Sequence, residues 1–369
     1  MLPGLESGGV ERGTLEVARH LVQNGCRSIV ISGGGTLEKK LRREGSEHLR
    51  WDVGRKRLWT LRFVWRLRRY LEREKVDILH LRSRVPAWVG YLAWRGMDPN
   101  TRPSLVTTVH GLYSVHRFSA IMTRGERVIA VSEAVRGYIL NHYPETPEAN
   151  IRVIHRGVDP AQFPYDYHPE ASWMADWPYS GDGLGGKRYV ITLAGRLTRL
   201  KGHEALIRLI KTLRGQGLSV RGLVVGGEDP RRRAYAEEIR QKAVELGDDL
   251  VFLGHRSDIK EIFAASDLVV SLSEKPESFG RTVLEALSLG VPVVGYDHGG
   301  VGEILTRLFP QGMIPAGDDE ALSNRVMGLM RDPSLRPPPV EEFYLDDMLD
   351  GTLSLYRALH AERRGRGSG

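Results

Sequence analysis

The regular alternation of short apolar, β-branched runs with helical stretches constrains the fold more than any other feature of this sequence. Such alternation is typical of βαβ units whose parallel sheets are covered on both faces. The expected strands span residues 27–31, 76–81, 104–109, 127–131 and 152–154 in the first half, and 189–194, 221–225, 250–253, 268–272 and 291–295 in the second. Because 369 residues exceed one ordinary core, we expect an α/β protein with two doubly wound, Rossmann-like domains that face each other across a cleft.

The chain is expected to divide into four segments. The first domain spans 1–165, and the second spans 188–340. Residues 166–187 lie between them and carry aromatics, prolines and the run SGDGLGGK without periodicity, so we expect a linker or insertion. Residues 341–369 are expected to contain a last helix and then a disordered tail, ERRGRGSG.

The composition is that of a globular protein with a basic surface. The net charge of +7 suits an anionic partner such as nucleic acid, phospholipid or a phosphorylated substrate, and a basic protein without such a partner is the alternative. No apolar run approaches the length of a membrane span, and no secretory leader is recognisable. The single cysteine, Cys26, excludes disulfides within the chain and fits a reducing cytoplasm.

The stretch PESFGRTVLEALSLGVPVV, residues 276–294, carries two carboxylates eight positions apart. A strand is expected to end just before it, and a helix to begin near Gly280 and stop at Gly290. Free N–H groups and the dipole of the first helical turn suit phosphate or sugar oxygens. Glu277 lies at this helix mouth, and Glu285 is expected to face away from the apolar stripe, where it could bind both hydroxyls of a ribose. Two ordinary glutamates, one favoured by the dipole and one solvated, are the alternative.

A second candidate loop, LAGRLTRLKGHEALI, follows the first strand of the second half. Arg196 and Lys201 place two positive charges there, just before a helix. Fixed cations in this position would stabilise the negative charge that develops on a pyrophosphate leaving group, and a solvated basic pair is the alternative. Competing nucleotide folds fit less well. The chain has no Gly-x4-Gly-Lys-Ser/Thr run, and Glu38 stands where the third glycine of Gly-x-Gly-x-x-Gly would be.

These motifs together resemble the retaining, nucleotide-sugar-dependent glycosyltransferases of the GT-B fold, in the large family-four group (glycosyl transferases group 1). ESFGRTVLEALSLGVPVV is similar to the family's Glu-x7-Glu signature, and family-like motifs follow in the expected order from residue 5 to about residue 305. The resemblance implies an acceptor-side first domain, a nucleotide-sugar-binding second domain and a last helix that packs back on the first.

The resemblance also implies roles for individual residues. The donor diphosphate would be bound by Gly8, Gly9, Arg196, Lys201, Phe279 and Gly280. The donor sugar would be bound by Glu277, Ser278 and His110, of which Glu277 and His110 are the catalytic candidates. The nucleoside would be bound by Glu285, Gly254, His255 and Arg256. Taken alone, a histidine such as His110 is more often structural, and the 254–258 loop is equally well a plain turn with Ser257 or Asp258 capping the next helix.

The implied reaction moves a hexose-type sugar from a UDP- or GDP-sugar with retention, the departing phosphate oxygen taking the acceptor's proton. No metal and no cofactor are expected, because the chain contains no Asp-x-Asp triplet and cations oppose the diphosphate. A nucleotide-sugar epimerase of the same fold and a catalytically inactive, glycan-binding scaffold are the alternatives.

The acceptor side carries a resemblance of its own. LHLRSRVPAWVGYLAW is similar to bacterial members that build lipopolysaccharide or other cell-surface glycans, with Arg82, Ser83 and Arg84 as expected acceptor contacts.

The helix expected at 58–74 carries a basic stripe of Arg62, Arg66, Arg69 and Arg73, which fall within about 60° of one another. Trp59, Phe63 and Tyr70 are expected beside the stripe, and Leu58, Leu61, Val64 and Trp65 on a separate core face. The stripe predicts either an anionic membrane surface or phosphorylated lipid acceptor, or else a solvated basic face. Nucleic acid is not expected, since no nucleic-acid motif accompanies the charge. The expected location is therefore the cytoplasm, with peripheral attachment to the inner face of the membrane.

The N-terminus departs from the family pattern. Relatives place an apolar strand before the glycine loop, whereas only Met1, Leu2 and Pro3 stand before Gly4. Losing a central strand costs several kcal/mol of buried surface, so the expectation is a start that has been truncated.

Overall fold

The computed structural model describes residues 1–6, 8–55, 58–179, 182–183, 186–228 and 233–366. The chain forms two compact units. The first comprises Met1–His155 and Leu345–Gly369, and the second comprises Arg156–Tyr344. Both units are α/β structures with parallel sheets.

The first unit carries a split sheet. Its helices before residue 155 are α1 (Gly9–Gln23), α2 (Glu38–Arg43), α3 (Arg62–Arg73), α4 (Arg84–Arg95) and α5 (Glu133–His142). Its strands are β1 (Ile29–Ser32), β2 (Glu47–Arg50), β3 (Ile78–Leu81), β4 (Ser104–Val109), β5 (Arg127–Ala130) and β6 (Ile151–Val153). β1 pairs with β2 alone, and β3, β4, β5 and β6 pair in that order as a separate parallel sheet.

The segment Met1–Pro3 lies between these two sheets. On one side, the Arg82 amide donates to the Met1 carbonyl at 3.1 Å. On the other side, the Leu2 amide donates to the Ile31 carbonyl at 3.2 Å. These residues therefore lie where the family resemblance leads us to expect a longer strand. Beside Met1, a cavity of about 610 Å³ continues between β1 and β3 and is lined largely by apolar side chains.

Helix α3 buries a different face from the one predicted. Phe63, Leu67 and Leu71 are buried, whereas Trp65 is 68% exposed and Leu61 is 51% exposed, so the predicted core face is wrong. Residues 58–61 form a 3-10 helix rather than the first turn of α3, which changes the helical phase. The buried face packs on Trp51, whose ring stacks on Phe63 at 6.0 Å between centroids.

The second unit contains one continuous parallel sheet. Its helices are α6 (Ala171–Ala175), α7 (His203–Gly215), α8 (Arg233–Ala243), α9 (Ile259–Ala264), α10 (Arg281–Ser288), α11 (Gly299–Leu308) and α12 (Asp319–Arg331). Its strands are β7 (Asp182–Gly183), β8 (Gly186–Lys187), β9 (Tyr189–Ala194), β10 (Val220–Val225), β11 (Leu250–Gly254), β12 (Leu268–Ser271), β13 (Val293–Tyr296) and β14 (Met313–Ile314). The sheet order is β11-β10-β9-β12-β13-β14, and β7 and β8 form a separate antiparallel pair.

The topology of this sheet fixes where a ligand is expected. From β9 the chain adds β10 and β11 on one side and then returns to add β12, β13 and β14 on the other. The strand order therefore reverses between β9 and β12. In doubly wound sheets, ligands bind outside the carboxyl ends of the strands at such a switch point.

The predicted linker, 166–187, is part of the second unit's core. Trp177 is 5% exposed and packs with Val190, Leu223 and Ile262, and Trp173 packs against the same cluster. The segment was expected to be a linker or an insertion, and its packing in the second unit's core fits an insertion rather than a linker, because the rings of Trp173 and Trp177 hold it there. Within the run SGDGLGGK, residues 180, 181, 184 and 185 lie outside the described residues.

The last helix, α13 (Leu345–Arg366), belongs to the first unit. Leu345, Met348 and Leu349 pack with Val17 of α1, and Leu359 packs near Val106 of β4. Residues 362–366 continue this helix, so the expected disorder of the tail is wrong there, while 367–369 lie outside the described residues. No helix in the described ranges is long and apolar enough to cross a bilayer.

Candidate active site

Two loops meet at the switch point of the second unit's sheet. Residues 195–202 follow β9, and residues 272–280 follow β12. The Glu274 amide donates to the Leu200 carbonyl at 3.1 Å. Gly202 has φ of +73°, and a Cβ built there would lie 1.8 Å from the Leu272 carbonyl oxygen. Only glycine fits this contact, so the two loops form one wall.

An ion pair joins the loops. The Nζ of Lys201 donates to Oε1 of Glu277 at 2.8 Å, and both side chains are partly buried. The hydroxyl of Ser273 donates to the same carboxylate oxygen. Burial raises the pKa of Glu277, but the charge and hydrogen bond of Lys201, with the Ser273 hydroxyl, outweigh that effect and hold the pKa below its usual value. Glu277 is therefore a carboxylate at neutral pH.

The start of α11 supports this loop from behind. Nε2 of His298 lies 2.9 Å from the Ser273 carbonyl, and the Gly300 amide donates to the Glu277 carbonyl at 2.8 Å. Gly299 has φ of +58°, and a Cβ there would lie 2.5 Å from the Glu277 carbonyl oxygen. The run HGGVGEIL is therefore the helix start that fixes Glu277. The sequence analysis did not single out Ser273, whose one signal is its place directly after the strand predicted at 268–272.

Arg196 adds a cation to the same loop. Its side chain is exposed and makes no ion pair within the part of the chain that the structure describes. The neighbouring Gly195 leaves room for the Lys201 stem, because a Cβ there would lie 3.0 Å from Cδ of Lys201. The two predicted cations thus differ. Arg196 is exposed, whereas Lys201 shares its charge with Glu277.

A buried histidine follows the 195–202 loop directly and packs beneath it. His203 is fully buried at the start of α7, with the Tyr235 hydroxyl 3.4 Å from Nδ1. Burial lowers its pKa to about 4, against the raising effect of backbone hydrogen bonds to Thr198 and Gly195. His203 is therefore neutral at pH 7.

Helix α10 begins at the same place. Its N-cap, Gly280, has φ of +107°, and Phe279 before it is 3% exposed. Glu285 is 5% exposed and lies 3.7 Å from the Arg281 guanidinium. The prediction that Glu285 faces away from the core is therefore wrong in its geometry, because α10 contacts β12, α9 and α11 and is buried along most of its length. Ser278 is half-buried between these groups.

The predicted nucleoside loop lies at the end of β11. Gly254 has φ of +66°, and the Gly226 amide donates to its carbonyl at 2.8 Å, so this loop adjoins the end of β10. His255 and Arg256 are exposed. Asp258 occupies the N-cap position of α9 without a capping hydrogen bond.

Asp258 is instead part of a small polar cluster. Nε of Arg256 donates to it at 2.8 Å and Nε1 of Trp173 donates at 2.9 Å. The Arg256 hydrogen bond is the main reason that the pKa of Asp258 falls to about 2. The loop is therefore tied to the segment that sequence reasoning treated as a linker.

The first unit carries the remaining donor-side candidates. Gly8 is the N-cap of α1, which begins at Gly9. A Cβ at Gly8 would lie 2.2 Å from a carboxylate oxygen of Glu11, so this side chain folds over the glycine. His110 follows β4 and is half-buried.

The predicted acceptor residues separate. Arg82 is 7% exposed, and burial lowers the pKa of its guanidinium, so it is not a surface contact. Ser83 is the N-cap of α4. Arg84 lies over the Tyr113 ring at 4.7 Å and donates to the Ser119 hydroxyl at 3.2 Å.

Arg84 also lines a groove of about 540 Å³. Its apolar walls come from Leu61, Val85, Trp88, Val89 and Phe118, and its polar lining includes Arg55 and His116. The groove is therefore both apolar and cationic. In the residues that the structure describes, no group of three or more His, Cys, Asp or Glu side chains is placed to hold a metal ion.

The comparisons with known proteins cover both units. Residues 7–162 match the family described as Glycosyltransferase Family 4, and residues 181–342 match the family described as Glycosyl transferases group 1. A glycosyltransferase from Rickettsia africae ESF-5 of known structure is 27% identical, with a TM-score of 0.81 over 97% of each chain.

Two further relatives carry more specific names. The lipopolysaccharide core biosynthesis mannosyltransferase LpcC of Rhizobium leguminosarum bv. viciae is 30% identical over 217 residues, 58% of this chain and 57% of that protein. The structure of Anabaena Alr3699/HepE in complex with UDP-glucose is 21% identical, with a TM-score of 0.75 over 100% of this chain and 98% of that one, and shows the shared fold.

Proposed function

The chain belongs to the glycosyl transferases group 1 of glycosyltransferase family 4, and we propose that it moves a hexose-type sugar from a nucleoside-diphosphate sugar to a lipopolysaccharide, lipid-linked or other cell-surface glycan acceptor. The transfer retains the anomeric configuration and uses no metal ion. The observation that carries the proposal is the Lys201–Glu277 pair at the switch point, with Arg196 on the same loop.

The cations of the β9 loop are assigned to the diphosphate. As the sugar leaves, negative charge grows on the departing phosphate oxygens, and fixed positive groups stabilise that state more than the ground state. Arg196 is exposed and has no carboxylate partner among the described residues, so it is available to the ligand. Lys201 has three donors and spends one on Glu277. The dipole at the N-terminal end of α10, which Gly280 caps, adds a third positive contribution.

Glu277 is assigned to the donor sugar. Its lowered pKa keeps it ionised, so it accepts hydrogen bonds from sugar hydroxyls rather than donating a proton. The bond between the anomeric carbon and the phosphate oxygen breaks, and a bond to the acceptor hydroxyl forms on the same face. The hydroxyl proton passes to the departing phosphate oxygen. A carboxylate near the anomeric carbon stabilises the positive charge that develops there.

The nucleoside is assigned to Glu285 and to the 254–256 loop. Glu285 is a buried carboxylate held by Arg281 at 3.7 Å, a fixed acceptor for ribose hydroxyls. The positive φ of Gly254 brings backbone close to a flat base. A UDP-sugar is the first donor to test, since the similar fold of Anabaena HepE holds UDP-glucose.

The acceptor is assigned to the groove lined by Arg84. Its apolar walls and the cations Arg84 and Arg55 suit a glycan or glycolipid with anionic groups. The partial similarity to a lipopolysaccharide mannosyltransferase supports the same class of acceptor.

The test is release of nucleoside diphosphate from UDP- and GDP-sugars, with and without lipid-linked or lipopolysaccharide acceptors. We expect release to depend on the acceptor, and the product linkage to keep the donor's anomeric configuration by NMR. Glu277→Gln should lower kcat/KM by about 100-fold. The matched control is Glu245→Gln, which removes the same kind of Lys–Glu pair at an exposed position.

Two outcomes would reject the proposal. Release without any acceptor, with the sugar epimerised, would show a nucleotide-sugar epimerase. Donor or glycan binding without any release would show an inactive scaffold.

A further inference from the structure

Two tryptophans stand out from the rest of the first unit's surface. Trp59 is 74% exposed and Trp65 is 68% exposed, and Leu61 between them is 51% exposed. By contrast, Trp51, Trp94 and Trp177 are each less than a tenth exposed. We refer to Trp59, Leu61 and Trp65 as the tryptophan face. An exposed cluster of large apolar side chains, in contrast to a single one, commonly marks an interaction surface.

The helix α3 places Trp65 opposite its buried side. At 100° per residue, Trp65 lies about 160° from Leu67, which is fully buried. On the same wheel, Arg62 lies about 60° and Arg69 about 40° from Trp65. Both arginines are exposed, so they flank the ring on the solvent side of the helix.

The charge on this face is largely uncompensated. Arg62 and Arg69 make no ion pair with a carboxylate in the described ranges, and the Arg62 guanidinium lies 5.0 Å from the centroid of the Phe63 ring. The one acidic residue close to Trp65 on the wheel, Glu72, is paired with Arg68 at 3.0 Å. Two exposed tryptophans and two exposed guanidiniums without a carboxylate partner among the described residues are therefore left to solvent.

The predicted basic stripe divides in the structure. Arg66 lies over the Trp51 ring at 4.4 Å, and Arg73 pairs with Glu74 at 2.8 Å and lies over Tyr70. These two arginines are engaged within the unit. Arg62 and Arg69 are the members of the stripe that remain for a partner.

We propose that the tryptophan face, with Arg62 and Arg69, docks on the surface of an anionic lipid bilayer. Tryptophan rings partition to the headgroup level of a membrane, where one end is apolar and the other is wet. Arginines beside them are attracted by the negative surface potential of anionic lipids. The overall net charge of +7 acts in the same direction.

The face adjoins the groove assigned to the acceptor. Leu61 belongs to both, as a member of the tryptophan face and a lining residue of the groove with Arg84. Docking would therefore bring the groove's edge to the depth of lipid headgroups. The docking itself does not depend on the proposed transfer reaction, so the two can fail separately.

The experiment is co-sedimentation of the full chain with vesicles of phosphatidylcholine alone and with about 30% phosphatidylglycerol. We expect binding to the anionic vesicles, weakened when salt is raised from about 0.1 M to about 0.5 M. The double variants are Trp59→Ala with Trp65→Ala, and Arg62→Gln with Arg69→Gln. Each should weaken binding by about 10- to 30-fold while leaving the Tm unchanged, because these side chains are exposed.

The matched control is Arg325→Gln with Arg331→Gln in the second unit, which removes the same charge from exposed positions and should leave binding unchanged. A second readout needs no variant. Brominated anionic lipids should quench part of the tryptophan fluorescence of the unmodified protein, and quenching should disappear in the tryptophan double variant.

Five outcomes would overturn the proposal. The first is equal affinity for neutral and anionic vesicles. The second is a loss of vesicle affinity in the Arg325→Gln and Arg331→Gln control as large as in the Arg62→Gln and Arg69→Gln variant. The third is absence of quenching. The fourth is tight binding of an RNA of about 20 nucleotides that depends on Arg62 and Arg69 while vesicles do not bind, which would assign the face to nucleic acid. Self-association through the face, seen as tryptophan-dependent dimers without vesicle binding, would also reject it.

Discussion

The two units treat the same sequence pattern differently. In the second unit, β9 lies inside a continuous six-stranded sheet, paired with β10 on one side and β12 on the other. In the first unit, Met1–Pro3 lie between β1 and β3, and the strands form two separate sheets, one of two strands and one of four. The loops after β9 and β12, which carry Arg196, Lys201 and Glu277, therefore stand on the continuous sheet.

The difference in sheet continuity bears on which unit can hold site residues in fixed positions. A central strand with partners on both sides holds the loop at its carboxyl end in a fixed position, which a cluster such as Lys201 and Glu277 requires. The first unit has a cavity of about 610 Å³ beside Met1, and its strands β1 and β3 belong to separate sheets. We expect the first unit to open locally more easily than the second.

The largest effect is expected from disrupting the close contact between the loops that follow β9 and β12 in the second unit. Gly202→Ala would force a Cβ against the Leu272 carbonyl and should cost about 3 kcal/mol or more in the free energy of unfolding, measured with urea. The matched control is Gly217→Ala, with φ of +77° and no atom within 4 Å, which should cost about 1 kcal/mol. If the two variants lost equal free energy of unfolding, the close contact between Gly202 and Leu272 would be contradicted.

The next effect compares the sheets directly by hydrogen exchange. Amides of β1 should exchange about 30-fold faster than those of β9, because β1 pairs with β2 and with little else. A version extended ahead of Met1 by about six apolar residues, the length of an average strand, should pair along β1 and β3 and reduce the difference. If β1 is as protected as β9 without the extension, the comparison fails.

A pH effect of about 2 kcal/mol is expected from His203. Its folded pKa of about 4 lies below the ordinary value of about 6.5, so the unfolded chain binds more protons between these values. Stability should therefore fall as the pH is lowered from 7 to 5. His203→Gln should flatten this slope, measured by urea unfolding at each pH. An unchanged slope would mean that His203 is not buried as described.

The smallest expected effect is the coupling within the Lys201–Glu277 pair. A double-mutant cycle should give about 1 kcal/mol, because both groups are partly buried and Ser273 adds a hydrogen bond. The exposed pair of Lys211 and Glu245, at 2.6 Å, should give a smaller coupling, since solvent screens it. A larger coupling in the exposed pair would show that burial does not strengthen the site pair.

The sequence predicted the strands that are buried along their whole length, and the loops that follow them. The strands at 104–109 and 189–194 were predicted to the residue, because both are runs rich in apolar and β-branched residues that the sheets bury almost completely. The loops after β9 and β12 followed from the same rule, since ligand-facing residues stand where strands end.

What failed depends on tertiary packing. Trp65 and Leu61 were assigned to a core because they are apolar, yet Phe63, Leu67 and Leu71 form the buried face. Nothing in the local pattern shows which of two apolar stripes meets a neighbour. Likewise, the burial of Glu285 arises from the packing of α10 on β12, α9 and α11, and the Ser273 carbonyl meets His298, 25 residues further along the chain.

The most direct test of the central claim is the Kd of UDP and GDP, measured by isothermal titration calorimetry. The account predicts that Arg196→Ala and Lys201→Ala each weaken binding of the preferred nucleotide by about 10-fold or more. Arg331→Ala and Lys211→Ala, in the same unit but away from the switch point, should leave it unchanged. Equal affinity in all four variants, or no binding of either nucleotide, would contradict a diphosphate site on the β9 loop.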